Sequence, residues 1–220
     1  MDILRFITAG NVDDGKSTLI GRLLYDTRNI ETDILESVHS GNNAALNLAH
    51  ITDGLRSERQ QGITIDVAYK YFTTTNRKFI ITDAPGHFQY TKNLITGASN
   101  TDLIIILIDA RNSITDQTRR HSQVASFLRI PNVIVAVNKM DCVNYSEAVF
   151  NQIKSQFLTI AAALNLPPLV FIPMSALHGE NVSTVSENMA WFSGKHLLAE
   201  LESALPAAMH SQKNRCTIQY

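Results

Sequence analysis

The chain has 220 residues, of which 45% are hydrophobic and 18% charged, and this composition excludes an intrinsically disordered protein. The formal net charge of −1 gives no support to a general nucleic-acid binder or a polybasic membrane binder. The two cysteines form no disulfide framework, the N-terminus has no signal-peptide pattern, and the longest strongly apolar stretch is too short to span a membrane, so we expect a cytoplasmic protein.

Short apolar runs rich in β-branched residues alternate with stretches of helical period along most of the chain. The runs predict strands buried on both faces, at Ile3–Ile7, Phe79–Ile81, Leu103–Ile108, Val133–Val137 and Leu169–Ile172. Helices are predicted at Lys16–Leu24 and around the apolar stripes within 90–98, 124–128, 149–157 and 197–205. This alternation predicts βαβ units and a three-layer α/β/α fold.

One segment breaks the alternation. Asp66–Thr73 has the pattern of a further strand, and a short polar turn joins it to the strand at Phe79. This arrangement predicts a hairpin. We therefore expect a mostly parallel six-stranded sheet with one antiparallel edge strand.

Gly10–Ser17 matches the phosphate-loop pattern G-x4-G-K-[ST], directly after a predicted strand and at the start of a predicted helix. Its glycines let backbone N–H groups turn toward phosphate oxygens, and the helix N-terminus adds partial positive charge. Lys16 is placed to reach the β- and γ-phosphates, and the Ser17 hydroxyl is placed to bind Mg²⁺. The candidate nucleotide contacts here are Asn11, Val12, Asp13, Asp14, Gly15, Lys16, Ser17 and Thr18.

A second pattern, Asp83–Gly86, follows the strand at Phe79–Ile81. A carboxylate at the carboxyl end of a strand is well placed to organise Mg²⁺. Asp83 is therefore a candidate for the metal site, and the Gly86 N–H is a candidate contact to the γ-phosphate.

A third pattern, Asn138–Asp141, ends the strand at Val133–Val137. The Asp141 carboxylate can accept hydrogen bonds from N1–H and the 2-amino group of guanine. Adenine lacks this pair of donors, and a site built to pair with them rejects a ligand without them. Asp141 is thus predicted to select GTP over ATP, with Asn138 bracing the loop and Lys139 lying along the base.

A fourth pattern follows the strand at Leu169–Ile172 and consists of Ser175, Ala176 and Leu177. A backbone N–H of this segment is placed to meet the 6-oxygen of guanine.

The order and spacing of these four patterns resemble the P-loop GTPases, and Arg59–Ile65 is similar to switch I of their translation-factor class. The resemblance implies that Thr64 binds Mg²⁺ in the GTP state and that the catalytic residue His87 orients the attacking water, with Lys16 offsetting phosphate charge. It also implies an apolar gate that includes Val12 and a monovalent cation near Asp13.

Within this class, Asn11–Asp26 and Thr52–Tyr69 are similar to the GTPase subunits of bacterial sulfate adenylyltransferases, the CysN and NodQ group. Asp14 stands where elongation factors usually carry a histidine, as it does in that group. The resemblance implies that GTP hydrolysis drives the formation of adenosine 5′-phosphosulfate from ATP and sulfate. That reaction would take place on a smaller, CysD-like adenylyltransferase subunit.

The resemblance covers about residues 3–205 and only the GTP-binding (G) domain. We therefore expect a G domain over 1–210 and the start of a linker, or of the first strand of a β-barrel domain, over 211–220. Phe88, which follows His87 where the family carries an acidic residue, departs from the pattern and bears on activation by a partner.

Two other functions stay open at this point: a translation elongation-type GTPase, and a GTP-binding interaction module with little intrinsic turnover. The Asn138–Asp141 pattern disfavours an ATP-using P-loop kinase. The histidines other than His87 have no ligand spacing, and we expect them to be exposed or partly buried.

Overall fold

The computed structural model describes residues 2–29, 48, 68–84 and 91–206. Six strands and five α-helices lie in these ranges, and they alternate along the chain except where β2 is followed directly by β3. In chain order they are β1 (Ile3–Ala9), α1 (Lys16–Asp26), β2 (Ala68–Thr73), β3 (Lys78–Asp83), α2 (Thr91–Ala98), β4 (Leu103–Asp109), α3 (Asp116–Phe127), β5 (Asn132–Asn138), α4 (Glu147–Leu164), β6 (Leu169–Pro173) and α5 (Leu197–Ser203).

The strands form one six-stranded sheet in the order β2-β3-β1-β4-β5-β6. β2 pairs with β3 in antiparallel fashion, and the other four pairings are parallel. The predicted fold class is therefore confirmed, with the hairpin at one edge. Because β1, β3, β4 and β5 are parallel, their carboxyl ends meet at one edge of the sheet, where α/β folds bind ligands.

Strand β4 shows why the sheet forms the middle of three layers. All seven of its residues are buried. Leu103, Ile105 and Leu107 belong to one apolar cluster, while Ile104, Ile106 and Ile108 belong to a second cluster on the opposite face. Alternate side chains of a strand point to opposite faces. The continuous apolar run is thus the mark of a strand covered by helices on both sides.

Three aromatic rings close the end of the core at the antiparallel edge. The rings of Phe72 and Phe79 are stacked with centroids 4.5 Å apart, and Phe6 meets both rings edge to face. All three side chains are buried. This packing fixes β2 on β3, because a register slip of one residue would turn Phe72 outward.

Three apolar side chains of the predicted helical stripes are exposed, and the first of them, Ile95 within α2, is 38% exposed. Phe127 is the last residue of α3 and is 79% exposed, and Leu205 lies beyond the end of α5 and is 77% exposed. The stripes wrongly predict that Phe127 and Leu205 are buried, because a helical stripe faces the sheet only while the helix continues. Several strands also run further than the apolar runs predict, since the ladder includes polar residues at carboxyl ends, such as Asp109 and Asn138.

None of the helices in the described ranges combines the length and the apolar character that a membrane span requires.

Candidate nucleotide-binding site

The phosphate loop lies between β1 and α1, at the carboxyl edge of the sheet. Asp13 and Gly15 have positive φ angles of 66° and 93°, so the chain curls before α1 starts at Lys16. A Cβ at Gly15 would clash with Nδ2 of Asn138, which leaves room only for glycine. No side chain caps α1, so the N–H groups of its first turn have no side-chain acceptor and are available to an anion.

Lys16 lies inside this loop. Its ammonium donates hydrogen bonds to the carbonyl oxygens of Gly10 at 3.1 Å and Asn11 at 2.8 Å, and the residue is 7% exposed. Burial lowers the pKa of Lys16, and the charges of Asp83 and Asp14 act in the opposite direction. The loop therefore holds one buried cation among carboxylates, at the place where the phosphates of a nucleotide are expected.

Asp14 is a buried carboxylate in the same loop, 3% exposed. Its Oδ2 accepts a hydrogen bond from the Asn11 N–H at 2.6 Å. Burial raises the pKa of Asp14 to about 6, although that hydrogen bond and the charge of Lys16 favour the ionised form. The folded protein thus holds a proton on Asp14 at pH values at which the unfolded chain has lost it.

The raised pKa of Asp14 predicts a pH-dependent stability. The contribution of a group whose folded pKa is raised is fully present below its unfolded value, here 3.8, and is lost as the pH rises through about 6. Asp14→Asn removes this loss and keeps an oxygen acceptor for Asn11. At pH 7.5 the nucleotide-free variant should be more stable by about 2–3 kcal/mol, and at pH 4 the difference should vanish.

Urea unfolding of both proteins across pH 4–8 measures this difference. Asp116→Asn, the same change at an exposed residue of α3, is the control and should not alter the slope. Parallel pH profiles for wild type and Asp14→Asn would show that Asp14 is ionised throughout, which would contradict the prediction.

Two oxygen-bearing residues, Asp83 and Ser17, belong to the carboxyl edge of the sheet. Asp83 is the last residue of β3, is 3% exposed, and accepts a hydrogen bond from the Thr8 hydroxyl at 3.5 Å. Ser17 is the second residue of α1 and is partly buried. The described part of the chain has no group of three or more His, Cys, Asp or Glu residues able to hold a metal. A hydroxyl and a carboxylate fit Mg²⁺, which takes few protein ligands and completes its shell with water and phosphate oxygens.

Asn138 joins the phosphate loop to the loop after β6. The residue ends β5 and is 2% exposed. Its Nδ2 donates to the carbonyl oxygen of Asp14 at 2.8 Å, and its Oδ1 accepts from the N–H of Ala176 at 2.9 Å. One buried amide therefore sets the distance between the two loops.

Lys139 spans the space between the phosphate loop and the end of β4. Its ammonium donates to the carbonyl oxygen of Asp13 and lies 3.0 Å from Oδ2 of Asp109. Asp109 is 2% exposed and also accepts two-pronged hydrogen bonds from Arg111. Burial alone raises the pKa of Asp109, but the bonds from Arg111 and Lys139 outweigh it and lower the pKa to about 2. Asp109 therefore stays ionised near neutral pH and holds the ammonium of Lys139 in an ion pair.

Asp141 lies on the wall of a cavity of about 160 Å³. Its Oδ1 is buried and has no hydrogen-bond partner within the described ranges, while Oδ2 accepts from the Cys142 thiol at 3.3 Å. A buried carboxylate oxygen without a donor is costly unless a ligand supplies one. The residues lining the cavity are Gly15, Thr18, Asn138, Lys139, Asp141, Cys142, Ser175 and Leu177.

The loop after β6 forms the far side of this cavity. The Ser175 N–H donates to the carbonyl oxygen of Glu180, and the Ala176 N–H is taken by Asn138. In the described part of the chain the Leu177 N–H has no such acceptor, and Leu177 lines the cavity. Of the three amides in the predicted segment, that of Leu177 is available to a ligand.

Thr64, Gly86, His87 and Phe88 lie outside the described residues, and so does the segment 211–220. Their roles therefore remain predictions. The other candidate contacts, from the phosphate loop, Asp83, Asn138–Asp141 and Ser175–Leu177, all lie at the carboxyl edge of the sheet.

Sequence reasoning missed several residues of this region. Asp109, at the end of β4, carries the same signal that identified Asp83, whereas no local pattern marks Arg111. His121 was expected to be exposed or partly buried, but it is 1% exposed. Burial and the charge of Lys16 lower the pKa of His121 to about 3, so its ring is neutral. It is buried because α3 presents this face to the sheet.

The glycine-turned loop, its buried lysine and the helix that follows at the edge of a parallel sheet define a P-loop nucleotide-binding domain. The comparison with known families makes this more specific, since the "Elongation factor Tu GTP binding domain" family matches residues 1–207. The chain belongs to this family of GTP-binding domains.

Two curated relatives are both named sulfate adenylyltransferase subunit 1. The protein from Laribacter hongkongensis is 54% identical over 226 aligned positions, which cover 100% of this chain and 47% of the relative. The protein from Erwinia tasmaniensis is 53% identical, with 99% of this chain and 48% of the relative covered. The chain thus spans about half the length of the curated relatives that it matches.

Solved structures agree with the fold. The Saccharomyces cerevisiae Ski7 GTPase-like domain bound to GTP is similar with a TM-score of 0.80 and 21% identity, covering 91% of this chain and 49% of that one. A bacterial selenocysteine-specific elongation factor is similar with a TM-score of 0.63 and 27% identity, covering 82% of this chain and 27% of that one. At these low identities the Ski7 similarity supports the fold alone.

Proposed function

We propose that this chain is the GTP-binding and GTP-hydrolysing domain of a sulfate adenylyltransferase subunit 1. The observation that carries this proposal is the identity of 53–54% over essentially the whole chain to proteins of that name. In this role, GTP hydrolysis here drives the uphill conversion of ATP and sulfate to adenosine 5′-phosphosulfate. We place the G domain at 1–210 and the start of a further domain or linker at 211–220.

The site geometry supports binding of a guanine nucleotide across the carboxyl edge of the sheet. The phosphates would lie in the loop Gly10–Ser17 against the ammonium of Lys16. The base would occupy the cavity, with its N1–H and 2-amino donors directed at Asp141. The Oδ1 of Asp141 has no hydrogen-bond partner among the described residues. It fits such a ligand, because N1–H and the 2-amino group lie on the same edge of guanine. Lys139, held by Asp109, would cover one face of the base.

Catalysis would consist of positioning and of charge stabilisation, as in phosphoryl transfer generally. Ser17 and Thr64 would hold Mg²⁺, with Asp83 organising the metal through water, and the bound ion supplies charge that offsets the phosphates. Lys16 would stabilise charge on the β- and γ-phosphate oxygens. His87 would orient the attacking water, with Val12 as part of an apolar gate around it. The exposed carboxylate of Asp13 would hold a monovalent cation near the phosphates.

The partner in this proposal is a small, CysD-like adenylyltransferase subunit that carries the site for ATP and sulfate. Thr64 and Gly86 would contact the γ-phosphate and order the two switch segments. Loss of that phosphate would release them, and this change is the signal that the partner can use. We place the complex in the cytoplasm, where both nucleotides and reduced thiols are available.

The proposal predicts a GTP hydrolysis rate that depends on the partner. We expect the rate of the intact protein to rise at least about tenfold when the small subunit, ATP and sulfate are all present, because activation completes the catalytic arrangement. Adenosine 5′-phosphosulfate should form in step with phosphate release. Phosphate release and product are measured together, with each component omitted in turn.

A GTP hydrolysis rate that the small subunit does not change, while GTP still binds tightly, would contradict the coupling role. That result would favour a translation elongation-type GTPase or a binding module with little turnover.

A further inference from the structure

Arg22 reaches from the middle of α1 to the loop after β6, and none of the roles above uses it. Its Nε donates to the carbonyl oxygen of Ala176 at 3.2 Å, and its Nη2 donates to the carbonyl oxygen of Leu177. The Arg22 side chain is only 12% exposed. A partly buried guanidinium thus donates to two consecutive carbonyl groups of the loop after β6.

A second set of contacts holds Arg22 in this position. Asp26, one turn further along α1, lies 3.5 Å from Nη1 of Arg22 and also accepts a hydrogen bond from the Ser183 hydroxyl. The Tyr25 ring lies 5.7 Å from the guanidinium carbon. The planar fork of arginine suits such a site, because its donors have a fixed relative geometry.

Because the peptide group is planar, this contact also fixes the direction of an N–H group that a ligand can meet. The carbonyl of Ala176 and the N–H of Leu177 belong to one peptide unit, and in a trans peptide they point in opposite directions. None of the described residues has a cis peptide bond. Because Arg22 holds the carbonyl on the α1 side, the Leu177 N–H is directed away from α1. The preceding peptide is fixed as well, since Asn138 accepts from the Ala176 N–H.

We propose that Arg22 is a positioning residue for guanine recognition, which aims the Leu177 N–H at the 6-oxygen of the base. This inference rests on the proposed guanine-nucleotide binding and adds a residue that touches no part of the ligand. The cation also polarises the peptide unit, and hydrogen bonds in a chain strengthen one another. Arg22 thereby couples the helix after the phosphate loop to the recognition of the base.

Nucleotides that lack particular groups of the base separate this role from simple packing. Inosine diphosphate keeps the 6-oxygen and N1–H of guanine but lacks the 2-amino group. The diphosphate of 2-aminopurine riboside keeps the 2-amino group but lacks both the 6-oxygen and the N1–H of guanine, so it binds more weakly at the outset and the readout is the ratio of each variant to wild type for that nucleotide. An Arg22 that only supports the fold affects all three nucleotides equally. An Arg22 that positions a donor for the 6-oxygen affects only the nucleotides that carry this oxygen.

The experiment measures dissociation constants of the three diphosphates by calorimetry on the intact protein with Mg²⁺ present. Arg22→Met keeps an unbranched side chain and removes the donors. It should weaken binding of GDP and inosine diphosphate by the same factor, about tenfold, and leave 2-aminopurine riboside diphosphate unchanged. Arg22→Lys keeps the charge and should recover part of the loss. Arg119→Met, at an exposed arginine of α3, is the matched control and should change nothing.

An equal loss for all three nucleotides, or no loss for any, would overturn the inference. If Arg22→Met does not fold, the difference between nucleotides in Arg22→Lys decides the same question. Failure of the wild-type protein to bind GDP would instead overturn the proposed function, so the two failures can be told apart.

Discussion

Asp141→Asn is expected to convert the nucleotide preference from GTP to xanthosine triphosphate. Xanthine presents N1–H as a donor and a 2-oxygen as an acceptor, and an asparagine amide offers the matching acceptor and donor. Guanine presents two donors, one of which would face the new NH₂ group. Because Asp141 Oδ1 is buried without a partner, the mismatch cannot be relieved by another group among the described residues. Affinity for GTP should fall by about 10²–10⁴-fold, the loss of one to two charge-assisted hydrogen bonds.

Competition binding with GTP, xanthosine triphosphate and ATP measures this change. Asp116→Asn makes the same substitution at an exposed position of α3 and should leave the preference unaltered. With the small subunit, ATP and sulfate present, the rate at which the Asp141→Asn protein supports formation of adenosine 5′-phosphosulfate should depend on the concentration of xanthosine triphosphate instead of GTP. Unchanged GTP affinity in this variant would mean that Asp141 does not recognise the base.

The fold could be predicted from the sequence because its strands are buried on both faces. The six residues Leu103–Ile108 are all apolar and serve two cores at once, so the run itself indicates a central parallel strand. The hairpin that ends in the strand at Phe79 could also be predicted from local sequence, because a short polar turn joins its two strands. What the pattern missed are the ends of elements, because a rule that reads only hydrophobicity buries Phe127, which is exposed, and leaves Asn138, which is buried, outside the strand.

The residues of the candidate site also divide into those that a local sequence pattern predicts and those that it misses. Lys16, Asp83 and Asp141 were found because each belongs to a short pattern directly after a strand. Arg22 was not found, because its partner Ala176 lies 154 positions further along the chain and only the fold brings them together.

Asp109 shows a different limit. It stands beside Asn138 in the register of β4 and β5, and its role with Lys139 depends on that register. A strand-end carboxylate marks a candidate, but only its neighbours show whether it faces a metal, a lysine or solvent.

Lys16→Met is expected to abolish tight nucleotide binding while the domain stays folded. Methionine keeps the length and the apolar stem and loses the ammonium, which removes the buried cation that the phosphates would face. The carboxylates of Asp83 and Asp14 would then repel the phosphates without compensation. Truncating one partner of a buried charge pair costs about 2–5 kcal/mol, so affinity for GDP and GTP should fall by about 10²–10³-fold or more.

The folded state itself should tolerate Lys16→Met, because burial already disfavours the charge there, as the lowered pKa of Lys16 indicates. Binding is measured by fluorescence with a labelled GDP, and folding by thermal unfolding without nucleotide. Lys195→Met, at an exposed lysine before α5, is the matched control and should retain wild-type affinity. A Lys16→Met protein that is folded and binds GDP as tightly as wild type would remove Lys16 from the phosphate site. Loss of binding with an intact fold would establish that this single charge holds the phosphates.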